Sequence, residues 1–155
     1  MSYVFTTICY YQITMNITFK SYEFLPEESK KIRTDVFIKE QGFIDEFDKQ
    51  DETAIHILIY VDGNPIGTSR IIYSNDHHSY VIGRFAIVKE YRRKHLGKEL
   101  MKYTEQEIVK RFGHIQIGVS AQERAIKFYE SNGYQITDER YLDQNYPHVW
   151  MVKQL

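Results

Sequence analysis

YVIGRFAIVKEYRRKHLGKELM, Tyr80 to Met101, is the stretch whose reading decides the fold. Val81 to Val88 is an apolar run of strand length and reads as a buried strand. A cationic turn follows, Arg92-Arg93-Lys94-His95. Gly97 then opens a helical segment. Leu96, Leu100, Thr104 and Ile108 recur every four residues with Met101 beside them, which is one face of an α-helix. A helix N-terminus offers unpaired N–H groups and the positive end of its dipole. After a basic turn it is a candidate anion site, with phosphate the usual anion. A solvated cationic turn before an ordinary helix accounts for these residues equally well.

Working outward, 155 residues bound the chain to one domain, or one domain with a short tail. Residues 15–155 read as that domain, and residues 1–14 as an extension whose place in the fold is open. Residues 1–14 carry no charge and lack the layout of a secretory signal. The net charge of −1 provides no global field for nucleic acid or a membrane surface. No apolar run reaches the roughly 18 residues that suggest a membrane span. Cys9 is the only cysteine, which excludes an intrachain disulfide and a cysteine metal cluster and points to the cytoplasm. The six histidines show no metal-ligand spacing, so no metal is expected. A homodimer is one arrangement open to the chain.

A half-buried strand begins near Met15, with Ile17 and Phe19 alternating against polar neighbours. Pro26-Glu27-Glu28 starts a helix running to about Lys39, with Ile32 and Val36 on one face. Glu40 to Glu52 holds six acids against one lysine and reads as a loop with embedded aromatics. Ala54 to Val61 and Ile66 to Tyr73 form a hairpin around Asp62-Gly63-Asn64-Pro65, and Tyr80 to Val88 is the third strand of the meander. The helix from Gly97 ends near Gly113, a natural cap. His114 to Val119 is a strand and Ala121 to Ser131 a third helix. Tyr134 to Ile136 and His148 to Val152 close the fold around a Pro147 turn. The order predicts an α/β fold of the α+β kind: a mixed, mostly antiparallel sheet flanked by helices.

Arg92-Arg93-Lys94-His95-Leu96-Gly97 resembles the R/Q-x-x-G-x-G/A coenzyme A signature of the GNAT N-acetyltransferase superfamily, with His95 replacing the first glycine. Gln122-Glu123-Arg124-Ala125-Ile126-Lys127-Phe128-Tyr129-Glu130 with Asn132-Gly133-Tyr134 resembles a second segment, N-x-x-A-x-x-x-Y-E-x-x-G-F/Y. Val36 to Gln41, Glu46-x-Asp48-x-x-Asp51, His56 and Pro147-His148-x-x-Met151 are similar to the ElaA-like branch. The element order also matches the GNAT fold, from about Met15 to the C-terminus.

The resemblance implies acetyl transfer from acetyl-CoA, as co-substrate, to a primary amine of a small molecule or peptide. It implies that Arg92, Arg93, Lys94, His95, Leu96, Gly97 and Lys98 hold the pyrophosphate. The pantetheine arm would pair with the backbone of Phe85, Ala86, Ile87 and Val88, and an N–H such as that of Ile87 would polarise the thioester carbonyl. Gln122 and Tyr129 would address the coenzyme from one helix face, with Tyr129 protonating or hydrogen-bonding the leaving thiolate. The attacking amine must be neutral, so a base is needed, and Glu40, Asp48 and His148 are candidates. The acidic loop is expected to attract a cationic amine. Two other readings stand beside this one: a non-catalytic coenzyme A-binding module, and an acyl-homoserine-lactone synthase-like acyltransferase.

Overall fold

The strand Ile55–Val61, β2, is buried on both faces, and the layering follows from it. Ile57, Ile59 and Val61 enter one apolar cluster, Leu58 and Tyr60 another. Successive strand side chains point to opposite faces, so a strand apolar at nearly every position needs cover on both. The structure is a computed structural model that describes residues 14–155. The expectation for residues 1–14 falls, but for Thr14, outside the described residues.

Helix α1 (Glu27–Arg33) and the π-helical segment that continues it (Thr34–Glu40) cover one face through Ile32, Val36 and Phe37. Helix α2 (Leu96–Phe112) covers the other. The four residues predicted to share its inner face, Leu96, Leu100, Thr104 and Ile108, are all buried. Thr104 also hydrogen-bonds Ser69 across the interface at 2.7 Å.

Seven strands form one sheet. In spatial order they are β1 (Ile17–Tyr22), β2, β3 (Asn64–Ser74), β4 (Ser79–Ile87), β5 (Gln116–Gln122), β7 (Tyr146–Gln154) and β6 (Gln135–Asp143). Every pair is antiparallel except β4 with β5. That parallel pair is short: Tyr80–Ile82 meets Ile117–Val119, and beyond this the strands part. A bulge explains the parting. Between the pairs Thr68–Ala86 and Arg70–Gly83, the single residue Ser69 faces two residues of β4, Arg84 and Phe85. Arg84 adopts φ 49° there. A bulge bends its strand and sharpens the twist, and this one carries β4 away from β5.

Three local expectations change. The first helix does not stay α-helical to Lys39. After Arg33 it widens, with Gln41 N–H donating to the Val36 carbonyl at 3.1 Å, a five-residue step. The third predicted helix does not begin at Ala121. Ala121 and Gln122 extend β5 against Val149 and His148 of β7, so sheet pairing overrides local helix propensity. A short turn, Glu123–Ala125, then leads into a six-residue α3, Ile126–Ser131. The closing strands are longer than expected and turn at Gln144-Asn145, not at Pro147. Both residues have positive φ, 47° and 70°, the two-residue turn whose twist suits a hairpin.

Candidate active site

The basic turn presents a row of free backbone donors. Lys98 N–H and Glu99 N–H bond the His95 carbonyl. The N–H groups of Arg93, Lys94, His95, Leu96 and Gly97 have no hydrogen-bond partner among the described residues. Arg93 and His95 both take left-handed conformations, φ 61° and 60°. Reversals of this kind curl successive N–H groups toward a common point, an anion-binding concavity. They also account for His95. The residue stands at a left-handed position, where glycine is free of strain and histidine is among the better-tolerated alternatives. Gly97 is required for closeness, since a Cβ there would lie 3.3 Å from the Phe128 ring.

Arg92 points elsewhere. Its Nε donates to the Ile87 carbonyl at 2.8 Å, and its guanidinium grips both oxygens of Glu40, one at 2.9 Å. The Val88 N–H is occupied by the Ile66 carbonyl at 2.9 Å, so it is not available to a pantetheine arm as expected. Strand alternation then turns the neighbouring Ile87 N–H and carbonyl to the open side of β4.

A cavity of about 640 Å³ opens between the parted strands, bordered by Gly83 to Phe85 on β4 and by Ser120 and Gln122 on β5. Tyr129 and His148 also line it. The Tyr129 hydroxyl has no hydrogen-bond partner among the described residues, and burial pushes the phenol up to about 12. Its ring is held edge-on by Phe128 and Tyr134, at 5.3 and 5.7 Å. His148 is 5% exposed. Its Nδ1 lies 2.9 Å from the Tyr146 carbonyl. A carbonyl can only accept, so Nδ1 carries the proton and Nε2 of the neutral ring keeps its lone pair.

Gln122 does not share a helix face with Tyr129. It sits at the end of β5, donating to Gln41 Oε1 at 3.0 Å and accepting from Arg124 Nε at 2.7 Å. Glu40 is a poor proton acceptor, because the hydrogen bond from Arg92 lowers its pKa.

The acidic loop is not an open anionic surface. Arg33, fully buried, donates to Glu46 at 2.8 Å and to Asp51 at 2.7 Å. Arg70 grips Asp48 at 2.7 Å and Asp51 at 2.9 Å. Arg84 reaches the Glu46 carbonyl and Asp48 at 3.1 and 3.2 Å. Three guanidinium groups thus offset Glu46, Asp48 and Asp51, and of the loop acids bordering the cavity Asp45 keeps no ion pair among the described residues. Burial pushes the Glu46 carboxyl up, against the pull of Arg84 and Arg33. The Asp51 carboxyl is held well below the usual range: burial works against it, but hydrogen bonds from Arg33 and Arg70 prevail.

The loop is strapped across the cavity mouth by the β6–β7 hairpin. Gln144 Oε1 accepts from Ile44 N–H at 2.8 Å, and the Tyr146 hydroxyl donates to the Gln41 carbonyl at 2.6 Å. Sequence reasoning missed Arg33, Arg70, Arg84, Gln41 and Gln144. One signal was available: Arg33 lies beside Ile32 on the helix, just ahead of an acid-rich loop that needs counter-charges.

Residues 24–155 match the family model described as acetyltransferase (GNAT) domain. The chain is 37% identical over 133 residues to the YyaT protein of Bacillus subtilis (strain 168), covering 83% of this chain and 88% of that one. ElaA of Escherichia coli (strain K12) is 27% identical over 129 residues, covering 81% and 84%. Its crystal structure superposes with a TM-score of 0.77 over 90% of this chain and 99% of that one. An acyl-CoA N-acyltransferase from Pseudomonas aeruginosa superposes with a TM-score of 0.74 at 26% identity, covering 90% and 99%. No described helix is long and apolar enough to cross a membrane. With the family model spanning the whole meander, the basic turn and the parted strands, the chain belongs to the GNAT acetyltransferase family.

Proposed function

We propose that this chain transfers the acetyl group of acetyl-CoA directly to a primary amine. One observation carries the reading: five consecutive unpartnered N–H groups, Arg93 to Gly97, curled at the start of α2 beside the parted strands. That turn would bind the pyrophosphate, with Arg92, Lys94 and Lys98 adding charge. The Ile87 N–H, on the open side of β4, would donate to the thioester oxygen, where negative charge grows in the transition state.

His148 takes the proton from the attacking ammonium through Nε2. The amine nitrogen then bonds the acetyl carbon, the carbon–sulfur bond breaks, the thiolate departs, and the nitrogen sheds its second proton to the thiolate or to solvent, leaving a neutral amide. Tyr129 donates a hydrogen bond to that thiolate. Full proton transfer from a phenol near 12 to a thiolate whose acid has pKa ~8.5 is uphill by about 5 kcal/mol. Tyr129 therefore stabilises the sulfur charge without surrendering its proton. Glu40 and Asp48 act as positioning residues, since arginines occupy both carboxylates.

Calorimetry with acetyl-CoA and thiol release with a panel of amines test this. His148→Gln lowers kcat at least a hundredfold, the usual range for a lost general base, while the acetyl-CoA Kd stays within twofold. Coenzyme binding with no thiol release from any amine would instead favour a non-catalytic coenzyme-binding module.

A further inference from the structure

Of the three arginines that hold the acidic loop, Arg33, Arg70 and Arg84, it is Arg84 whose closest contacts are the longest. Its Nε and Nη2 make contacts of 3.1 and 3.2 Å, to groups that already hold a closer arginine: Glu46 with Arg33 at 2.8 Å and Asp48 with Arg70 at 2.7 Å. Its Nη1 has no acceptor among the described residues. Arg70 lines the same cavity, is 3% exposed, and its Nε–H is also without a partner. Burial, and after it the Arg70 charge, push the Arg84 pKa down, with Glu46 and Asp48 pulling the other way; an added anion would offset the repulsion between the two guanidinium groups. Arg84 also stands on the bulge, φ 49°, where β4 leaves β5. Strained backbone conformations collect where a side chain must be aimed at a ligand.

We infer that Arg84 is a specificity residue that receives a carboxylate of the acceptor, so that the substrate class is an amine bearing a carboxylate: a free amino acid or a close analogue. This rests on the acetyl-transfer reading above. A guanidinium with a free edge matches a carboxylate in a paired, charge-assisted geometry. The main contrary feature is the pair Asp45 and Asp143, which border the cavity with no ion pair among the described residues and would suit an acceptor with a second cation. They belong to the loop and the hairpin tip, whereas Arg84 stands where the strands part.

Matched amines test the assignment: lysine, lysinamide and cadaverine, then phenylalanine, phenylalaninamide and phenethylamine, each assayed by thiol release from acetyl-CoA. The carboxylate-bearing member is expected to exceed its partners at least tenfold in kcat/KM. Arg84→Gln is expected to lower its kcat/KM at least tenfold more than that of the amide, with Arg84→Lys intermediate. Equal turnover across each set, or preference for cadaverine, overturns the inference and leaves acetyl transfer standing. Coenzyme binding without turnover of any carboxylate-bearing member also overturns it. Absence of coenzyme binding by calorimetry overturns the acetyl-transfer reading itself. The wild-type preferences decide the matter even if Arg84→Gln proves unstable.

Discussion

Glu40, at the end of the π-helical segment, holds the Arg92 guanidinium with both carboxylate oxygens, joining the first helix to the turn ahead of α2. Both side chains are more than a third exposed, at 39% and 35%. Pairs of this kind contribute about 0.2–1 kcal/mol. Coenzyme phosphate and Glu40 would compete for Arg92. Glu40→Gln is therefore expected to leave the acetyl-CoA Kd unchanged or tighten it by up to about fivefold. Arg92→Glu is expected to weaken it at least tenfold. Weakening by Glu40→Gln in calorimetry would mean that Arg92 serves by staying clasped.

His95 occupies a left-handed position, φ 60° and ψ 7°. That conformation costs an L-residue roughly 1–2 kcal/mol, and glycine escapes it while losing some chain entropy. His95→Gly is expected to raise stability by up to about 1 kcal/mol in urea denaturation and to leave coenzyme binding intact. A drop in affinity of tenfold or more would assign the imidazole itself a phosphate contact.

The Arg33–Asp51–Arg70 cluster sets the acid limit of the fold. Asp51 has its pKa depressed in the folded state. Its contribution is present above the unfolded value near 3.9 and is lost as pH falls through and below that value. Asp51→Asn is expected to cost about 3–5 kcal/mol at neutral pH, because it leaves buried arginine charge uncompensated. Its urea midpoint should also fall less steeply than that of the wild type between pH 5 and 3. A parallel fall in both proteins would remove Asp51 from the acid response.

Gly118 on β5 lies directly beneath the Trp150 ring, so a methyl group there would overlap it. His77 also stacks on Trp150, with ring centroids 3.7 Å apart, which resists movement of the ring. Gly118→Ala is expected to destabilise the protein by about 3 kcal/mol and to shift the fluorescence of its single tryptophan. Unchanged emission and stability would show that the strand yields.

What the sequence made legible was contiguous. The strand, turn and helix of Tyr80–Met101 share one local pattern, and Leu96, Leu100, Thr104 and Ile108 are buried as their spacing predicted. The position of His95 was flagged as one suited to glycine, and its φ gives the reason. The cavity mouth was not legible, because its partners are remote in sequence. Arg33 meets Asp51 across 18 residues, Arg84 meets Asp48 across 36, and Gln144 meets Ile44 across 100. A run of acids looks the same in sequence whether solvated or neutralised from three other segments. The π-helical winding after Arg33 and the conversion of Ala121-Gln122 to strand also depend on tertiary pairing that no local window contains.

The strap between Gln144 and the loop at Ile44 divides the molecule by rate of change. The basic turn ahead of α2 lies within one uninterrupted segment and presents main-chain N–H groups, which most side-chain substitutions leave in place. The mouth of the cavity is built from two distant segments, residues 41–48 and 143–147, held by long-range contacts to each other and to Arg33, Arg70, Arg84 and Gln122. The loop offers main-chain groups and the hairpin offers side chains, so substitution of Gln144 or Tyr146 loosens the entrance, whereas a side-chain change at Gln41, Ile44 or Asp45 leaves these bonds in place. Such a chain can reshape the entrance to its cavity over evolutionary time by substitutions at the hairpin tip, with the turn that precedes α2 left in place.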